Sequence, residues 1–107
     1  MANEFTIAFN YEKAIKQADE LLDISKDIRK IANDKMESSI QTIDKNWDGD
    51  SSKKFVNKSR QLKNKVVDSA DDIQAVAGSI KEIAKRIYDA EMEAVRIAKE
   101  REAKLSS

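Results

Sequence analysis

One glycine sets the limits on what this chain can fold into. Gly49 sits in the run Asn46-Trp47-Asp48-Gly49-Asp50-Ser51-Ser52, and on either side of it stretch long segments without proline or any comparable cluster of turn residues. Sheets need turns every several positions, so two breaker-free arms around one punctuation mark point to helices. Gly49 suits the left-handed conformation that ends a helix, and Asp50 or Ser51 can cap the next one. A link this short makes the two helices antiparallel neighbours. The expected fold is all-α: an antiparallel two-helix hairpin with an extended second helix, forming a four-helix-bundle dimer. It is read as one domain, residues 1–107, with helix 1 over about 10–46, the turn at 47–50 and helix 2 over about 51–104.

Apolar spacing supports both arms. In the first arm the spacing is helical, but Ile28, Ala32, Met36 and Ile40 follow in consecutive fours, a drift from the heptad of the kind a stutter produces. In the second arm, steps of four and three carry an apolar seam from Phe55 through Leu62, Ile73, Ile80 and Ile87 to Ile97, with Ser59 and Ser69 its polar members. One flank of that seam holds Val56, Lys63, Ala70, Ala77, Ala84, Glu91, Ala98 and Leu105; the other holds Lys58, Lys65, Asp72, Ser79, Arg86, Glu93 and Glu100. The stripe therefore widens to one side, as in a multi-helix bundle. Ile15, Leu22, Ile24 and Ile31 lie off the main line of the first arm and are expected to bind a partner, together with Ala94 and Ile97 beyond its reach. With pairing mirrored about Gly49, Tyr11 falls near Lys85–Ile87 and residues 89–107 lack a helical partner. Phe5, Ile7 and Phe9 alternate with a period of two and are expected to lie extended near Tyr88. Asn10 is then the cap of the first helix.

Composition removes several functions. Lys plus Arg equals Asp plus Glu, 20 against 20, with the signs interleaved, which disfavours nucleic acid as a partner. There is no cysteine and no histidine, so thiolate chemistry and the commonest acid–base group and zinc ligand are missing. A thin hairpin also offers little concave volume for a carboxylate pair. The chain is read as no enzyme, with no cofactor and no metal. No apolar run approaches the ~18 residues of a membrane span, so no insertion is expected. The beginning MANEF lacks the basic cluster of a cleaved leader, so the protein either stays in the cell or leaves by a route without one.

The turn carries a resemblance. Trp47-Asp48-Gly49, with Ser51 two positions after the glycine and Phe55 four further on, resembles the WXG100 (ESAT-6-like) family, as do the length, the hairpin and the missing cysteines. The resemblance implies export by the type VII (ESX) machinery of Gram-positive bacteria, as a folded dimer and without a cleaved signal. Its implied partners are the chain itself or a similar hairpin, a larger toxin with a helical export domain, and the secretion ATPase. Family members bearing the export signal carry Tyr-x-x-x-Asp/Glu after the second helix. Here Met92 follows Tyr88 at that spacing, so Tyr88, Glu91 and Glu93 form a divergent candidate, or the chain is the signal-less member of a pair. Trp47 is read first as a packing plug against Phe55, and alternatively as a surface that the export machinery reads. Glu91 and Glu93 also fit an ordinary solvated helix face. The competing function is a cytosolic helical adaptor or coiled-coil tether that is never exported.

Overall fold

The computed structural model describes residues 3–106, which form α1 (Glu4–Lys30), a π-helical turn (Ile31–Met36), α2 (Glu37–Asn46) and α3 (Asp50–Ser106). Every described element is helical, and the arms before and after the turn make a two-helix hairpin. Gly78 lies inside α3 without interrupting it.

Helix 1 begins earlier than the sequence suggested. Asn3, not Asn10, is the cap: its Oδ1 accepts from the Thr6 amide at 2.8 Å, and its carbonyl accepts from Ile7 N at 3.0 Å. Phe5–Phe9 is therefore helical and not an extended arm. A period of two over five residues fits a helix equally well when the central residue faces inward. Ile7 is buried, whereas Phe5 and Phe9, one turn apart, stack outward with ring centroids 6.5 Å apart.

The π-helical turn explains the run of fours. An α-helix with apolar residues every four positions would carry its stripe steadily round its axis. The wider turn at Ile31–Met36 takes up that drift, so Ala32 and Ile40 are both buried although eight residues separate them.

Compactness divides the chain into two units: Leu21–Ala75, and Met1–Glu20 with Val76–Ser107. In the unit Leu21–Ala75, Ser25, Ala32 and Ile40 supply the buried residues of the first arm, and Ser52, Val56 and Ala70 those of α3. The arms run antiparallel there. Arg29 binds Asp71 and Gln74 at 2.5 Å each, and Glu37 accepts from Arg60 at 2.7 Å and Lys63 at 3.0 Å. The buried Ser25 hydroxyl donates to Leu22 O at 2.8 Å and so costs little.

In the other unit, Ile7 and Ala18 are buried with Ala77 and Ala84. Tyr11 meets Tyr88 at a centroid distance of 4.9 Å, and Asp19 pairs with Lys81 at 2.6 Å. Glu4 pairs with Lys99. The tail of α3 is thus not bare from residue 89 onward as expected; the earlier start of α1 gives it a partner as far as Lys99.

The seam itself is displaced. The row Val56, Ala70, Ala77, Ala84, placed by sequence on a flank, is buried. Of the seam, Phe55, Leu62, Val76, Ile83 and Ile97 are exposed, with Leu62 at 57% and Ile83 at 54%, whereas Ser59, Val66, Ile73 and Ile80 are half-buried. Small residues on both arms explain this, because they let two helices pack closely where larger side chains cannot.

Candidate functional site

At the turn, α2 ends as Trp47 becomes extended (φ −134°, ψ 115°), with its amide still bonded to Ile43 O at 3.0 Å. Gly49 takes φ 109°, a region L-residues rarely adopt, and this starts α3 at Asp50. Its carbonyl accepts from the Lys53 amide at 3.2 Å and from the Ser52 hydroxyl at 3.0 Å. Ser52 is the buried small residue of the turn, while Ser51 of the motif is exposed. Among the described residues neither Asp50 nor Ser51 makes a side-chain hydrogen bond, so the expected cap is not formed. Ser52 was missed because only the motif's spacing drew attention to its neighbour.

Trp47 is not the buried plug expected. Its ring meets Phe55 at 6.0 Å and 55°, yet stays 48% exposed, with Phe55 exposed to the same degree. The turn has too few side chains above it to enclose an indole. Beside this pair, Met36, Ile40, Ile43, Phe55 and Leu62 line an apolar hollow of about 300 Å³. The turn thus presents two half-covered aromatic rings and an open apolar recess, which suits docking of another apolar surface and offers no catalytic group.

The sequence-selected partner residues fall into two groups. Ile15 and Leu22 are half-buried within their own units, whereas Ile24 and Ile31 are exposed, as are Ala94 and Ile97 on α3. The exposed apolar residues of α3 include Phe55 and Leu62 in one unit and Val76, Ile83 and Ile97 in the other, with Ser69 standing between Leu62 and Val76 at the same heptad spacing.

Tyr88, Glu91 and Glu93 do not converge. Tyr88 is half-buried against Tyr11, and Glu91 borders a hollow with Ile7, Tyr11 and Ala14. Glu93 points elsewhere and binds Arg96 through both oxygens, at 2.6 and 3.0 Å; those hydrogen bonds hold its carboxyl below the usual glutamate range. Among the described residues no group of acids is arranged to hold a metal ion, and no helix is long and apolar enough to cross a membrane.

The fold and the turn define a class: a helical hairpin whose bend is a tryptophan–glycine corner. The family model "WXG100: Proteins of 100 residues with WXG" matches residues 6–92, and the chain belongs to this family of non-enzymatic secreted proteins. No curated protein and no solved structure matches it.

Proposed function

We propose that this protein leaves the cell through the type VII machinery as a folded pair of hairpins, and that it serves as export partner to a larger toxin carrying a helical domain. The observation that carries this reading is the uncovered apolar stripe of α3, from Phe55 to Ile97, on a chain whose family is secreted. A stripe of that length on a helix otherwise rich in charge is unfavourable in water, and a second hairpin is the simplest cover for it. Trp47 and Phe55, half-exposed at the turn, supply the surface for the secretion ATPase. Tyr88 is held by Tyr11 and Glu93 by Arg96, which favours a signal supplied by the toxin over one formed by these residues.

The test is detection of the protein in culture supernatant. Export should be lost when the secretion ATPase is deleted, and reduced by Trp47→Ala in a protein that remains folded. Retention of the wild-type protein in cells that secrete other type VII substrates would favour the cytosolic tether.

A further inference from the structure

The chain contains two tyrosines, and they touch each other. Tyr11 of α1 and Tyr88 of α3 are far apart in sequence, yet their ring centroids lie 4.9 Å apart at a tilt of 46°. Both belong to the unit Met1–Glu20 with Val76–Ser107, and both are half-buried. Ring centroids at that spacing bring the ring edges into contact. Two hollows border the pair. One, of about 230 Å³, includes Glu91 in its lining; the other, of about 260 Å³, includes Glu12 and Lys85. Each hollow therefore sets a carboxylate in the surroundings of the phenols, where a proton released from a hydroxyl has an acceptor at hand.

We infer that Tyr11 and Tyr88 form a modification site, at which a haem peroxidase using hydrogen peroxide joins the two rings into an intramolecular dityrosine. Each phenol gives up one electron and one proton to become a phenoxyl radical. The radicals couple through a carbon–carbon bond between the ring positions next to the hydroxyls. Each of those carbons then passes its hydrogen, as a proton, to its own ring oxygen. One hydrogen peroxide accepts the two electrons and two protons and leaves as two waters. Coupling within the chain is favoured because each radical is already held against its partner, whereas a radical on another chain must first be met by diffusion.

The cross-link is a staple that this sequence has no other means to make, since it has no cysteine. In this unit the arms meet through Ile7 and the small side chains Ala18, Ala77 and Ala84, and through the ion pairs Asp19–Lys81 and Glu4–Lys99. Surface ion pairs of this kind contribute little. A covalent bond between α1 and α3 closes a long loop and so restricts the unfolded chain. The inference is independent of whether the protein is exported.

The test oxidises the full chain, at low protein concentration, with a haem peroxidase and hydrogen peroxide. Dityrosine fluorescence should appear at monomer mass on a denaturing gel. Mass spectrometry should find the Tyr11 peptide joined to the Tyr88 peptide, two hydrogens below their sum. Tyr11→Phe and Tyr88→Phe, shown by circular dichroism to be folded, should lose the monomer-mass product. The thermal midpoint of the treated wild type should rise by more than ~5 °C over its untreated form, with no such rise in either variant. Photo-oxidation with a ruthenium complex and persulfate, which works in urea, should give at least ~10-fold less internal product from the unfolded chain than from the folded one. Chain-to-chain product dominating in the folded wild type overturns the inference. So does equal internal yield from the unfolded chain, or a cross-linked chain that melts with the untreated one.

Discussion

Replacing Trp47 with alanine gives a stability change that the structure sets within narrow bounds. Fully burying an aromatic side chain of this size removes ~150–250 Å² from water. With the ring 48% exposed, about half of that, roughly 100 Å², is covered in the single chain. At ~25 cal/mol per Å² the covered part contributes at most about 2.5 kcal/mol, and realistic unfolded chains lower the figure to about 2 kcal/mol. The tilted contact with Phe55 is included in that area, so only a few tenths of a kcal/mol are added for ring geometry. Urea denaturation followed by circular dichroism, at a concentration low enough to keep the chain monomeric, measures the change. A loss above about 4 kcal/mol, the range of a buried aromatic, would mean that the ring is enclosed and the turn is not an open surface. A loss below about 0.5 kcal/mol would mean that Phe55 and its neighbours do not hold the ring at all. At concentrations where hairpins pair, the cost should rise if the partner covers the exposed half.

Two further expectations concern the first arm. Hydrogen bonds from Lys63, then Arg60, hold the Glu37 carboxyl below its ordinary 4.5. A carboxyl lowered on folding adds stability that is present above 4.5 and lost as pH falls through the folded value. Acid titration of the melting temperature should therefore show a decline below that pH which is shallower in Glu37→Gln; equal slopes would remove Glu37 from the account. Deleting Asn33, exposed within the π-helical turn, should leave the thermal midpoint unchanged or raised, because one residue fewer turns the run of fours into a regular heptad. A clear drop in the midpoint would mean that the π-helical turn is required for packing.

The hairpin was legible because breakers are so scarce. With only Gly49 placed among turn formers, little else could be the corner, and its φ of 109° is the conformation for which glycine is suited. The choice of packed face was less legible. Apolar periodicity marks the row with the largest side chains, Phe55 to Ile97, but the arms pack through the smallest, with Ala18, Ser25 and Ala32 on one side and Ala70, Ala77 and Ala84 on the other. Hydrophobicity ranks transfer from water, whereas close helix packing depends on shape. The N-terminal segment misled for a different reason: Phe5, Ile7 and Phe9 satisfy a strand's alternation and a helix's spacing alike, and the deciding group, the Asn3 cap, lies upstream of where a cap was sought. The candidate site was legible at Trp47, Gly49 and Phe55 as positions, but the exposure of Trp47 was not, because a short motif does not show how many side chains stand above it.

On the function proposed above, another hairpin must sit on the exposed apolar residues of α3 for export. Ile83→Glu addresses it directly, since Ile83 is more than half exposed within the stripe and its replacement leaves the packed row Ala77 and Ala84 untouched. The variant should show the wild-type melting curve as a monomer, no measurable self-association, and no protein in the culture supernatant. Secretion of that variant at the wild-type level, as a folded monomer, would mean that export does not require a second hairpin on α3.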